Sequence, residues 1–157
     1  MNARLFTAAE VNALIPRLSE LMREAMELHR RASALQEALS EERDRIRASG
    51  GAMVDQHDWK AKAERLDGYA IEVKQVLQQV LELGGVTKDL ETGLVDFPGL
   101  VPKVAGPQPV NLCWRYGEEA VRFWHGFDEG FGQRKPLPRP RRLSSSTSST
   151  RLSSSIA

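Results

Sequence analysis

His125 is followed at short range by Asp128 and Glu129. An imidazole beside carboxylates is a donor set that suits zinc, iron or manganese. One short segment supplies too few ligands by itself, so further ones would have to come from Asp96 or Glu10. Cys113 is the only cysteine of the chain. As a nucleophile it would need help in forming the thiolate. The nearby Arg115 favours that, but no histidine falls on its side of the strand to relay a proton. A second grouping, Asp96, Arg115, Arg122 and Trp124 with Cys113, mixes cations, an acid and an indole, and is the candidate face for an anionic ligand. Each has a plain counterpart: a buried histidine bonded to a backbone carbonyl, a packed strand cysteine, or an ion network on a solvated sheet face. No cofactor is required by these residues; a metal at His125 and Asp128 is the one left open.

These residues lie in a segment dense in aromatics, since seven of the ten stand between 97 and 131. A small core of its own is expected there. Val86–Asp89 reads as extended, Leu90–Gly93 as a turn, and Leu94–Phe97 as a strand interrupted by Pro98-Gly99. After a loop at Gly106–Pro109, strands over 110–116 and 120–125 would join through Gly117-Glu118-Glu119. A two-residue turn at Glu118-Glu119 sets Tyr116 opposite Val121, Trp114 opposite Phe123 and Leu112 opposite His125, all on one apolar face. The other face then carries Cys113 opposite Trp124, and Arg115 opposite Arg122, with Asp96 as the nearest carboxylate to separate the two cations. In this register His125 and Cys113 point to opposite sides, which disfavours a shared site.

A helical platform precedes the module. Phe6-Thr7-Ala8-Ala9-Glu10-Val11 has the form of a capping box, with Thr7 and Glu10 exchanging hydrogen bonds and Phe6 and Val11 as hydrophobic staple. Apolar residues then follow at Leu14, Leu18, Leu21, Ala25, Leu28, Ala32, Leu35 and Leu39, the alternating four-and-three spacing of a coiled-coil seam. Trp59, Ala63, Leu66, Ala70, Val73, Leu77 and Val80 repeat it, and Gly84-Gly85 supplies the stop. Helices over about 8–48 and 57–83, joined by a short link, predict an antiparallel hairpin. At 1.5 Å per residue they span about 60 and about 40 Å. The first two turns, with Val11, Leu14 and Ile15 just before Pro16, should therefore overhang and pack on the β-module, or else form a dimer seam. An apolar stripe of Met22, Met26, Val76 and Leu83 offers a surface for another helix, or widens the core.

The chain has 157 residues, 41% hydrophobic and 27% charged, in the range of a globular protein. No apolar run approaches the length of a membrane span, and no secretory leader is evident. With one cysteine there is no internal disulfide, and a cytoplasmic location is expected. Six basic residues and no acidic ones follow position 133, leaving 16 basic and 21 acidic residues before it. The body is thus mildly acidic and unsuited to grip phosphate backbones. Residues 135–157, rich in Pro, Ser and Arg, should form a disordered tail with at most weak affinity for nucleic acid.

Four blocks in order resemble the domain of unknown function 2203 family of uncharacterised prokaryotic proteins. They are Phe6–Pro16, Val86–Pro98, Leu112–Glu118 and Phe123–Arg134, and the resemblance spans residues 4 to about 137. It implies no activity. The family pattern usually has an acidic residue directly after the Trp-His pair, where this chain has Gly126.

The expected architecture is α+β, a single domain over 1–134: a long antiparallel two-helix coiled-coil hairpin, with helices about 8–48 and 57–83, capped by a small antiparallel sheet module over about 86–134. Thr7, Glu10, Pro16, Gly84 and Gly93 hold structural positions in it. The expected role is a non-catalytic binding or scaffold protein that meets a protein partner or a second copy through its helices. The alternative is a metal- or anion-binding site on the sheet module.

Overall fold

A computed structural model describes residues 4–50, 56–102, 106 and 108–138. Two helices, α1 (Ala8–Ala48) and α2 (Gln56–Leu83), precede five strands: β1 (Val86–Asp89), β2 (Leu94–Val101), β3 (Gln108–Arg115), β4 (Phe123–His125) and β5 (Lys135–Pro136). The strands form one antiparallel meander in chain order. The fold is the expected helical hairpin with an antiparallel sheet module. Among the described residues no helix is long and apolar enough to cross a membrane.

The start of α1 is the capping box read from the sequence. Thr7 Oγ1 accepts the Glu10 amide at 3.1 Å, and the Thr7 amide donates to Glu10 Oε1 at 3.2 Å. Arg4 joins the same carboxylate at 2.8 Å, which with these hydrogen bonds holds Glu10 below the usual carboxylate range. The helices run antiparallel. Arg17, near the start of α1, bonds Gln79 near the end of α2, and Glu42, near the end of α1, bonds Lys62 near the start of α2. With Arg17 already level with Gln79, the turns before it extend past Leu83. Val11 and Ile15 there are buried in one continuous core with Val95, Phe97, Val110, Leu112 and Trp114 of the sheet. The overhang therefore packs on the sheet module. Pro16 lies exposed within α1.

The stripe offered for a partner helix is mostly internal. Met22 and Val76 are buried, and Met26 and Leu83 are partly covered. Along α2 the packed residues include Tyr69, Val73, Val76, Leu77 and Val80, while Ala70 is exposed.

The helices and sheet meet at Phe6. Its amide donates to Pro98 O at 2.8 Å and its carbonyl accepts the Leu100 amide at 2.9 Å, extending β2 beyond the end of β1. This explains why Pro98-Gly99 does not interrupt β2, which was expected to break there. The Pro98 carbonyl faces the Phe6 edge, so the missing Pro98 donor faces it too, and no bond to β3 is lost. The Phe6 ring stands edge-on to Phe97 with centroids 5.4 Å apart, and lies over Gly84, whose φ is +107°.

The loop after β3 differs from the expected hairpin. No two-residue turn forms at Glu118-Glu119; Tyr116 to Arg122 make a longer connection. Gly117 turns at φ +98°, the Trp114 indole donates to Glu118 O, and the Arg115 amide donates to Glu118 Oε1. Val121 is then buried, its amide bonded to Asn12 Oδ1 of α1 at 2.8 Å. The register moves by one residue as a result: Cys113 pairs with Phe123, Leu112 with Trp124 and Asn111 with His125. Arg115 does not face Arg122; it pairs with Leu94, and both arginines are exposed.

Lys135 and Pro136, read as the beginning of the tail, form β5, and the Leu137 amide bonds Arg122 O at 2.7 Å. The rest of the expected tail, from 139, lies outside the described residues.

Candidate functional site

The sheet has two unlike faces. Val95, Phe97, Leu112 and Trp114 turn toward the helices. Residues alternate along a strand, so Leu94, Asp96, Asn111, Cys113 and His125 share the other face. The stretch from Phe127 to Phe131 borders that face, and together they line a cleft of about 200 Å³. Trp124, expected beside Asp96 and Cys113, instead packs against the core.

Asp96, Cys113 and His125 are all buried, at 4%, 1% and 4% exposure. Each comes from a different strand, and one ligand atom of each lies within 4.8 Å of the other two. His125 Nε2 is 2.9 Å from Asp96 Oδ2, and Nδ1 is 3.0 Å from the Gly126 carbonyl. A carbonyl only accepts, so Nδ1 carries a proton and Nε2 is the nitrogen turned to the cluster. One further proton lies in the Nε2–Oδ2 contact. Burial pushes the Cys113 thiol up to about 12; the Asp96 charge and its hydrogen bond to the thiol add to the effect. Left to themselves, then, these residues keep a neutral thiol, and Cys113 is not poised as a nucleophile. Among the described residues no buried side-chain nitrogen or oxygen lacks a partner.

The segment after His125 is tied down by its own side chains. Glu129 Oε2 accepts the Gly126 amide at 2.8 Å, and Lys135 Nζ reaches both Glu129 oxygens at 2.9 and 3.0 Å. Those contacts, the amide bond first, hold the Glu129 carboxyl below its ordinary range. The Arg134 guanidinium lies 4.2 Å from the centroids of both Phe123 and Phe131, a cation between two rings that fixes the return of the chain. Asp128 is exposed on the turn and takes no place in the cluster.

Of the candidates read from the sequence, the fold brings Asp96 and His125 together and leaves Arg115, Arg122, Trp124 and Asp128 outside. Cys113 keeps the face expected of it; His125 was assigned to the core face and is the residue that changes sides. The signal that could have placed it was Val121: seating that apolar residue in the core demands a long loop and the other register.

Three unlike donors can hold a transition metal. Carboxylate, thiolate and imidazole are all zinc ligands, and three from protein leave one tetrahedral position open. With bonds of about 2.0–2.3 Å, donors around zinc stand roughly 3.3–3.7 Å apart, so the Asp96–His125 contact would widen only slightly. The Nδ1–H bond to a carbonyl is the outer contact that orients a metal-bound histidine.

The chain matches the family described as uncharacterized conserved protein (DUF2203) over residues 4–137, and it belongs to that family. No curated protein and no solved structure matches it.

Proposed function

We propose that the sheet module is a metal-binding site in which Asp96, Cys113 and His125 hold a divalent transition metal, zinc by the nature of the donors. The observation that carries this reading is the convergence of three different ligand atoms, from three neighbouring strands, within 4.8 Å. Metal binding would displace two protons, one from the Cys113 thiol and one from the Nε2–Oδ2 contact, and uptake would accordingly favour higher pH. Two anionic ligands and a neutral imidazole cancel the charge of the ion, which suits a site removed from water. All three ligands border the cleft, so an ion held by them would supply Lewis acidity to whatever enters it. A thiolate ligand without a partner cysteine fits a reducing compartment, and we place the protein in the cytoplasm.

Metal analysis by mass spectrometry on zinc-reconstituted, dialysed protein tests the reading. Near one zinc per chain is expected, falling to background in Cys113→Ser and His125→Ala. Background levels in the wild-type protein would end it.

A second reading, a scaffold acting through the hairpin, has support in the exposed Ile71 and Leu81 of α2. A protein partner or second copy would meet the helices there rather than at Met22 and Val76. Crosslinking through cysteines introduced at those two positions would detect a second copy.

A further inference from the structure

We infer that the open metal position takes a small monocarboxylate, which Lys88 and Asn111 bind by its charged end and Phe127 and Phe131 cover at its apolar end. This rests on the metal reading above and adds to it the class of ligand. The four residues border the same cleft as the three metal ligands, on the side of the sheet away from the helices.

Lys88 is exposed on the edge strand β1, and its side chain borders the cleft. Thr87 pairs with Val95 but Asp89 with Leu94, so Lys88 is the extra residue of a bulge in β1. Thr87 before it faces the helices, donating to Met22 Sδ and pairing with the core residue Val95, so alternation turns Lys88 to the face of Leu94 and Asp96. Neighbouring side chains supply no compensating charge: among the described residues Lys88 forms no ion pair. Glu129 also borders the cleft, but its carboxylate is engaged by the Gly126 amide and by Lys135. A metal held by Asp96 and Cys113 is neutral in sum, so Lys88 leaves the loaded cleft with one positive charge. A single negative charge completes it.

Asn111 stands directly across from His125 in the β3–β4 ladder and is half-buried. Its amide can donate to an oxygen bound at the metal, and no side-chain partner among the described residues occupies it. A carboxylate offers two oxygens, one for the metal and one for these donors. Phe127 is 57% and Phe131 40% exposed, large apolar surface left facing water along the same cleft. The volume of about 200 Å³ is below the roughly 300–1,000 Å³ of ordinary ligand clefts, which limits the ligand to a few heavy atoms or one ring.

Cobalt(II) is the probe, because its visible bands report coordination and its thiolate charge-transfer band reports Cys113. The full chain, loaded with cobalt, is titrated with acetate, benzoate and neutral acetamide. Saturable spectral change is expected with the two carboxylates and none with acetamide. Lys88→Gln should load cobalt with an unchanged starting spectrum and bind acetate about tenfold or more weakly, the scale of one hydrogen bond to a charged group. Phe131→Ala should weaken benzoate and spare acetate. A cobalt spectrum indifferent to carboxylates, or an equal response in Lys88→Gln, overturns the inference and leaves the metal site standing. Absence of the thiolate band in the wild-type protein overturns both.

Discussion

Asn12 Oδ1 and the amide of Val121, 109 residues apart in the chain, are joined by a hydrogen bond of 2.8 Å. The bond ties the overhanging first turns of α1 to the loop before β4, and so holds the register in which Asn111 faces His125 and Cys113 faces Phe123. Replacing Asn12 with Ala strands a backbone donor beside the buried Val121, at a cost of about 1–3 kcal/mol. Asn12→Asp keeps the acceptor and should lose less. Urea unfolding of the three proteins gives the ranking directly, and equal stability of Asn12→Ala and wild type would dismiss the bond as a fixing point.

That contact also marks where sequence reasoning fails. Both helices, the capping box at Thr7 and the overhang of Val11 and Ile15 were legible because they are local periodicities and local exchanges of hydrogen bonds. The turn at Leu90–Gly93 was legible for the same reason, with Gly93 at φ +75°. The pairing of β3 with β4 was not. It depends on a seven-residue loop whose fixing contact, Asn12, lies in another element, and a one-residue slip moves every side chain to the opposite face. Trp124 was thereby assigned to the ligand face and His125 to the core. Asp96 and His125 were both singled out as reactive, but their meeting with Cys113 waited on that register. Nothing near Lys88 in the sequence announces the bulge.

Gly84 is the tightest point between helix and sheet. A β-carbon there would stand 2.4 Å from Cζ of Phe6, at a backbone φ of +107° that side chains disfavour. Gly84→Ala must both strain the turn and push the Phe6 ring from its place against Phe97. The turn strain alone is of order 1–3 kcal/mol, and the displaced ring adds to it. Gly106, also at positive φ but with open space around it, should accept Ala with only the conformational cost. Thermal unfolding of the two variants should separate them clearly.

The Cys113 thiol gives alkaline stability a definite sign. Its folded pKa of about 12 lies above the ordinary 9.0, so above pH 9 the unfolded chain gives up this proton while the folded one keeps it. In the metal-free protein stability should fall as pH rises from 9 toward 12, by at most about 1.4 kcal/mol per pH unit from this group. Below pH 9 the group contributes no slope. Cys113→Ala should remove this component of the alkaline slope, measured by denaturant unfolding with chelator present at each pH. An unaltered slope would mean that the thiol is not held neutral in the folded state.

Asp96→Asn and His125→Ala separate the fold of the site from its proposed use. An asparagine at 96 can still accept from, or donate to, His125 Nε2, so the buried contact survives in a neutral form. Alanine at 125 instead leaves the Asp96 carboxylate buried without its partner, which costs on the order of 3–5 kcal/mol. In chelator, Asp96→Asn should therefore unfold close to wild type and His125→Ala far below it. With zinc added the order changes: wild type gains stability by mass action, whereas Asp96→Asn, with one anionic ligand gone, gains little. Equal zinc stabilisation of wild type and Asp96→Asn would show that the carboxylate serves the buried hydrogen bond and not an ion.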